Sequence, residues 1–207
     1  MRIVKAGYEI LTPIDPDKIL KTIERIGRTC YKSENNITED SSKEFVQKII
    51  NRKHEAILEF FDITVKFYCD RGISHEIVRH RIASYAQEST RYCNYNKDKF
   101  NKEIRVIYPI FWTEDSECYK VWKDACEYAE KAYLKLIELG AKAEQARSVL
   151  PTSLKTELNV KMNLREWRYF FTLRTTPMAH PQMRELSIPL LDEFKEYIPI
   201  IFDNIII

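Results

Sequence analysis

The feature that most constrains the fold is a pair of segments in which apolar and polar residues alternate. Residues 61–68 place an apolar side chain at every second position, and residues 153–162 repeat the pattern. A period of two is that of a strand with one buried face and one polar face. Such strands favour an antiparallel or mixed sheet over a parallel sheet covered on both sides. Weaker strand candidates lie at 2–11 and 104–108.

Helices are predicted around these strands from apolar spacing and from capping signals. The predictions are a helix over about 16–30 capped by Asp15-Pro16, one from Ser41 with Glu44 as a capping box, a long helix near 114–138 ended by Gly140, one capped by Asn163, and one from His180-Pro181 that Pro189 would kink or break. Helices packed on a central antiparallel or mixed sheet give an α+β fold. We expect a single domain over residues 1–207.

Composition limits the classes of function. A chain of 207 residues that is 44% hydrophobic can bury one sizeable core. The net charge of +2 is too small for a protein that coats nucleic acid, so a small anionic ligand is the better expectation. No apolar stretch has the length of a membrane span, and no signal peptide is recognisable at the start. We expect a cytoplasmic protein that does not bind a membrane.

The cysteines and histidines do not form a recognisable metal motif. The five cysteines are odd in number and contain no Cys-x-x-Cys pair, so we expect reduced thiols in packing roles. Neither His54-Glu55 nor His75-Glu76 is followed by the second histidine of a metalloprotease helix. No metal is expected.

Glycine is scarce, which limits how a nucleotide could be held. The four glycines form neither a dinucleotide-binding loop nor a phosphate-binding P-loop. The phosphates of a bound nucleotide would therefore meet side chains rather than a cradle of backbone amides.

The densest group of anion-binding side chains lies in one short segment. It reads Arg79-His80-Arg81, seven further residues, then Ser89-Thr90-Arg91-Tyr92. Arginine provides a permanently charged fork that suits phosphate, and histidine and serine add further donors. Ser74 is predicted to cap a short helix that ends near Arg81, and residues 84–92 would leave it as a loop. A plain solvated basic run is the alternative, although apolar residues interrupt this one.

This motif resembles the signature of the flavin-dependent thymidylate synthases, and the similarity extends from about His54 to Arg184. The resemblance implies reductive methylation of dUMP to dTMP. 5,10-Methylenetetrahydrofolate would donate the carbon, FAD would carry the hydride and NADPH would be the reductant. It also implies a homotetramer whose active sites are shared between subunits. No cysteine follows a proline, as the nucleophile of the cysteine-dependent thymidylate synthases usually does.

The resemblance also assigns roles to residues. FAD would be bound by Glu59, Arg79, His80, Arg81, Gln87, Asn163 and Arg165. The nucleotide would be bound by Glu76, Arg79, Gln87, Glu88, Ser89, Thr90, Arg91, Arg147 and Arg174. Arg174 would be catalytic, because a fixed positive charge beside uracil favours the anionic form of the ring. His54 would lie on the folate side.

Three positions differ from residues that are common in the family, namely Ala56, Glu76 and Tyr169. Since a carboxylate near a phosphate is repelled unless it is paired, we expect Glu76 to pair with Arg79, three residues on.

Two other functions fit part of the sequence. A binder of single-stranded nucleic acid could use the arginines for phosphates and Tyr85, Tyr92 and Tyr95 for stacking, although the near-neutral charge counts against it. A flavin-dependent protein with a different substrate would share only the cofactor residues.

Overall fold

A computed structural model describes all 207 residues. Its strands are β1 Arg2–Val4, β2 Gly7–Ile10, β3 Asp62–Asp70, β4 Ala83–Gln87, β5 Arg105–Ile107 and β6 Lys155–Asn163. Its helices are α1 Pro16–Tyr31, α2 Ser41–Asn51, α3 Arg71–Ile77, α4 Glu117–Glu138, α5 Ala143–Ala146, α6 Leu164–Arg174, α7 Pro181–Tyr197 and α8 Pro199–Phe202. Short 3-10 segments lie at Glu34–Asn36, Glu55–Phe60, Asp98–Phe100 and Arg147–Val149.

The strands form two sheets. Four antiparallel strands lie in the order β2-β3-β6-β4, and β1 pairs in parallel with β5. The alternation that predicted β3 is seen in its burial, since Ile63, Val65 and Phe67 are completely buried while the residues between them are partly exposed. The α+β prediction is confirmed, and so are the two strong strands.

The chain divides into two compact units. The first unit comprises Met1–Gly7, Lys66–Arg79 and Tyr85–Asn159. The second unit comprises Tyr8–Val65, His80–Ser84 and Val160–Ile207. The expected single domain stays a prediction.

The core of the first unit is built on α4. Its buried Cys126 and Tyr133 pack with Tyr95, Val106 and Leu154. The hydroxyl of Tyr133 accepts a hydrogen bond from the backbone N–H of Tyr95, at 3.2 Å. The long helix therefore stands where the sequence predicted it, and Gly140 follows it in the left-handed conformation, with φ of 91°.

The core of the second unit is an aromatic cluster carried by α6, α7 and α8. Its members are Trp167, Phe170, Phe171, Phe194 and Phe202, all completely buried. Their ring centroids lie 5.1 to 5.9 Å apart in the contacting pairs, mostly edge to face or tilted. The indole N–H of Trp167 donates to the carbonyl of Ile63 at 3.0 Å, so α6 is tied to β3.

Helix α7 is not broken at Pro189 and continues to Tyr197, while a kink at the proline stays a prediction. Leu186 lies before the proline, and Leu190 and Leu191 lie after it; all three are buried. Burial on both sides holds the segment helical although Pro189 removes one backbone hydrogen bond.

The start of α2 corrects the predicted capping box. Asp40 is the residue before the helix, and Ser41 is its first member. The hydroxyl of Ser41 instead donates to Glu24 at 2.9 Å, and it accepts from the backbone N–H of Thr38 at 2.9 Å. Glu24 is only 1% exposed, so a buried carboxylate that needs donors takes the hydroxyl.

The segment around the arginine motif also differs from the prediction. Helix α3 begins at Arg71 with Asp70 as its cap, and the carboxylate of Asp70 accepts from the N–H of Ile73 at 2.7 Å. Ser74 lies inside the helix, so its predicted capping role is wrong. The helix ends at Ile77, and residues 83–87, predicted as part of a loop, form the edge strand β4.

The cysteines are all free, as predicted, but only some have packing roles. Cys69 and Cys126 are buried, whereas Cys30 and Cys118 are exposed, so a packing role is wrong for the last two. No group of three or more His, Cys, Asp or Glu side chains is placed to hold a metal ion. None of the helices combines the length and apolar character that crossing a membrane requires.

We predict that Gly27→Ala destabilises the protein because α1 lies against Phe45 of α2. A methyl group at Gly27 would lie 2.6 Å from Phe45 Cε1. Overpacking costs about 1–3 kcal/mol, and the gain in helix propensity of up to ~1 kcal/mol offsets only part of it. Urea unfolding should show a lower midpoint. Gly7→Ala is the control, since no atom lies within 4 Å of that added methyl group. Unchanged stability of Gly27→Ala would contradict the prediction.

Candidate functional site

A chain of three polar side chains lies in the second unit. His80 Nδ1 is 2.9 Å from Glu166 Oε1, and Arg174 Nε donates to His80 Nε2 at 3.1 Å. His80 is in the segment between α3 and β4, Glu166 is in the first turn of α6, and Arg174 is the last residue of α6. The structure thus brings the histidine of the motif to the arginine predicted to be catalytic, 94 residues away.

The imidazole of His80 is held in an apolar setting. It is 3% exposed, and its centroid lies 5.0 Å from that of Phe170 and 5.8 Å from that of Tyr169. Burial lowers the pKa of His80 below its ordinary value of 6.5, the charge of Arg174 lowers it further, and the hydrogen bond to Glu166 opposes both. His80 is therefore neutral at neutral pH.

A cavity of about 520 Å³ adjoins this chain of side chains. It is lined by Glu55, Glu59, Ile82, Asn163, Arg165, Glu166, Arg168, Tyr169 and Thr172. Arg165 donates to Glu59 at 2.6 Å, and Asn163 Oδ1 accepts the N–H of Glu166 at 2.8 Å as the cap of α6. Three of the residues predicted to bind the flavin, namely Glu59, Asn163 and Arg165, therefore line one cavity.

His54 lies at a second cavity of the same unit, of about 360 Å³. Its Nδ1 is 2.8 Å from the hydroxyl of Tyr31. Lys53, its neighbour, has a left-handed backbone with φ of 58°, a conformation that costs a side-chain-bearing residue about 1 kcal/mol or more. Arg165 and Glu55 line this cavity as well as the first one.

Four of the residues predicted to bind the nucleotide, namely Ser89, Thr90, Arg91 and Arg147, lie in the first unit. Arg147 donates to the hydroxyl of Thr90 at 3.3 Å, and Ser89 Oγ accepts from the backbone N–H of Arg91 at 3.2 Å. Arg91 also forms an exposed ion pair with Glu144, at 3.0 Å. The loop after β4 thus carries Ser89, Thr90 and Arg91, and the 3-10 segment Arg147–Val149 brings a second guanidinium group to Thr90.

Glu88 belongs to a network of charges in the same unit. Its carboxylate accepts from the hydroxyl of Tyr95 at 3.0 Å and lies 3.5 Å from Lys155 Nζ. Lys155 also pairs with Glu157, and Lys66 Nζ pairs with the same carboxylate at 2.5 Å. Burial raises the pKa of Glu157, but the hydrogen bonds from Lys155 and Lys66 lower it more, so this pKa lies below its ordinary value. Glu88 and Lys155 also line a cavity of about 290 Å³.

The remaining predicted residues lie at the end of α3 and along β4. The side-chain amide of Gln87 donates to Ser74 Oγ at 2.8 Å and lies 3.3 Å from Thr156 Oγ1. Arg79 and Arg81 are exposed. The backbone N–H of Arg79 donates to the carbonyl of Glu76, at 3.2 Å, and pairing between their side chains stays a prediction.

Several partners of these residues were not predicted from the sequence. Glu166 lies three residues after the cap Asn163, and Lys155 is the first residue of β6, and neither position indicated a partner in the site. Tyr31 and Glu144 gave no signal at all, because they meet His54 and Arg91 only through folding. One signal was available for Glu166. It is a charged residue in the first turn of α6, on the buried face of that helix.

Comparison with known proteins gives one family. A family model described as thymidylate synthase complementing protein matches residues 14–200. The flavin-dependent thymidylate synthase of Pyrococcus abyssi is 37% identical over 158 residues, which are 76% of this chain and 64% of that protein. The enzyme of the same name from Geobacter sulfurreducens is 33% identical over 182 residues, covering 84% of this chain and 77% of that one. The chain thus spans just under two thirds of the Pyrococcus relative.

The fold is also similar to a solved structure. The crystal structure of the UMP/dUMP methylase PolB from Streptomyces cacaoi, bound with 5-Br dUMP, has a TM-score of 0.80. The similarity covers 98% of this chain and 96% of that one, at 19% sequence identity. At that identity the likeness establishes the fold.

We predict that His80 makes the stability depend on pH. Its pKa is lower in the folded state than the unfolded value of 6.5, so below that pH the unfolded state binds a proton that the folded state does not. The free energy of unfolding should fall as pH drops through 6.5, by up to about 1.4 kcal/mol per pH unit, and should be level above it. Urea unfolding from about pH 5.5 to 8 measures this slope. His80→Gln should lose the slope, and an equal slope in both proteins would contradict the assignment.

Proposed function

The chain belongs to the thymidylate synthase complementing protein family, and from this premise we propose that it is a flavin-dependent thymidylate synthase. The proposed reaction is the reductive methylation of dUMP to dTMP, with 5,10-methylenetetrahydrofolate as carbon donor and NADPH as reductant. The observation that carries the proposal is the hydrogen bond between Arg174 and His80, because it joins the signature motif to the residue proposed to polarise the uracil.

The cavity beside α6 fits a flavin nucleotide in the chemistry of its donors. Its volume of about 520 Å³ is within the range of small-molecule sites. Arg165 is the second residue of α6, where backbone N–H groups and the helix dipole favour an anion. The amide of Asn163 adds a donor, and Arg81 is an exposed cation next to Ile82, which lines the same cavity. Bound FAD would supply the hydride, and these residues would hold and orient it.

The group around Thr90 fits a nucleotide phosphate. Arg91 and Arg147 supply two guanidinium groups, and Ser89 and Thr90 supply hydroxyls. An exposed ion pair such as Arg91–Glu144 is worth only about 0–1 kcal/mol, so a phosphate can replace Glu144 at little cost. The arginine fork then binds two phosphate oxygens at once. Glu76, Arg79, Gln87 and Glu88 would complete the nucleotide site.

The proposed chemistry assigns charge and position to the protein's side chains. Arg174 would stabilise negative charge on the uracil ring and so make its carbon a better nucleophile. His54, held by Tyr31, would lie on the folate side. No enzyme thiol is required, and burial raises the pKa of Cys69 to about 12, which keeps that thiol protonated.

The proposal includes assembly as a homotetramer with active sites shared between subunits. Large exposed apolar side chains on and just after α4 support a subunit contact, namely Val121 at 62%, Tyr128 at 75% and Leu139 at 72% exposed. Light scattering on the purified protein measures the assembly directly, and a monomer at working concentration would contradict it.

We predict that Arg174→Ala lowers the rate of dTMP formation by at least about 100-fold, the usual cost of removing a group that stabilises transition-state charge. The variant should keep the flavin absorbance of the wild type. The assay supplies FAD, NADPH, dUMP and methylenetetrahydrofolate to the purified protein, and chromatography detects dTMP. Arg52→Ala changes an exposed arginine at the end of α2 and should match the wild type.

The controls separate the alternatives. A wild type that binds flavin but forms no dTMP would keep the cofactor and overturn the proposed substrate. A protein that binds no flavin at all would overturn the whole proposal.

A further inference from the structure

We propose that Glu166 and His80 are positioning residues that hold the guanidinium of Arg174 in one orientation. The inference rests on the proposed function, in which Arg174 acts on the nucleotide. It assigns to the histidine of the signature motif a role inside the protein, and it gives Glu166 a role that helix capping does not require.

The direction of each hydrogen bond follows from the chemistry of the groups. Arginine can only donate, so His80 Nε2 must accept from Arg174 Nε and cannot carry a proton. The proton of neutral His80 then lies on Nδ1, which donates to the carboxylate of Glu166. Glu166 therefore selects the tautomer that Arg174 needs. Without that acceptor the proton of the ring could lie on Nε2 instead. The N–H groups of His80 Nε2 and Arg174 Nε would then face each other as two donors.

Burial makes this arrangement selective. His80 is 3% exposed and Glu166 is 8% exposed, so little water can replace a lost partner of either group. The backbone of Glu166 is fixed, because its N–H donates to Oδ1 of the cap residue Asn163. The hydrogen bond to His80 is made by Nε of Arg174. Because the guanidinium group is planar and rigid, this bond fixes the orientation of its plane.

The same geometry argues against His80 as a ligand through its ring nitrogens. Both nitrogens already have partners within the second unit. Arg79 and Arg81, its neighbours in the motif, are exposed. The three residues of Arg79-His80-Arg81 therefore divide into two exposed cations and one buried support.

The test compares two substitutions of Glu166. Glu166→Gln keeps an oxygen that can accept from Nδ1–H, so dUMP affinity and kcat should stay within about 3-fold of the wild type. Glu166→Leu removes the acceptor and should weaken dUMP binding and lower kcat by about 10- to 100-fold, the usual effect of losing a supporting hydrogen bond. Equilibrium dialysis measures dUMP affinity without turnover. Glu24→Leu is the matched control, since Glu24 is another buried glutamate of the second unit, bonded to Arg28 and Ser41.

A second comparison separates positioning from general damage. If Glu166 acts through Arg174, then Glu166→Leu should change dUMP affinity by less than about 2-fold in a protein that already carries Arg174→Ala. A further loss of 10-fold or more in that background would overturn the proposal, as would full dUMP affinity and turnover in Glu166→Leu alone.

The tautomer provides a readout that does not depend on substrate. NMR of ¹⁵N-histidine, with only four histidines in the chain, should show His80 protonated on Nδ1 in the wild type and in Glu166→Gln. Glu166→Leu should show a changed or mixed tautomer. A proton on Nε2 in the wild type would overturn the positioning pair. A wild type that forms no dTMP but shows the Nδ1 proton would instead overturn the proposed function and leave the pair intact.

Discussion

The hydrogen bond from the N–H of Glu166 to Asn163 Oδ1 fixes the point at which β6 becomes α6. Asn163 is both the last residue of the strand and the cap of the helix, so no linker separates the two elements. The phase of α6 about its axis is set at this residue. Trp167 and Phe170 are thereby turned into the aromatic core, Glu166 is turned to His80, and Arg165 is turned to the cavity. Stability and the candidate site depend on the same junction.

The local signals in the sequence predicted the elements well. Alternation predicted β3 and β6, and capping signals predicted the starts of α1 and α6, because these patterns are set by a residue's own neighbours in the chain. The errors lie where a distant group competes for a side chain. Ser41 bonds Glu24 instead of capping α2, and Ser74 accepts from Gln87 instead of capping α3. No periodicity in the sequence encodes such partners.

The candidate site was predictable in its residue types but not in its internal order. The motif identified a group of donors, and family resemblance assigned them ligands. The sequence does not indicate that His80 is buried while Arg79 and Arg81 are exposed, since all three are polar neighbours. Burial of His80 follows from the ring of Phe170 and from the carboxylate of Glu166, both carried by a helix 86 or more residues away. Only the fold brings them together.

Arg165 lines two cavities at once, and this has a consequence for any pair of ligands that occupy them. Its guanidinium is paired with Glu59. An anionic ligand in either cavity would therefore interact with the same positive charge. Occupancy of one cavity then changes the electrostatic free energy of binding in the other. By thermodynamic linkage the effect is reciprocal: each ligand alters the affinity for its neighbour by the same factor.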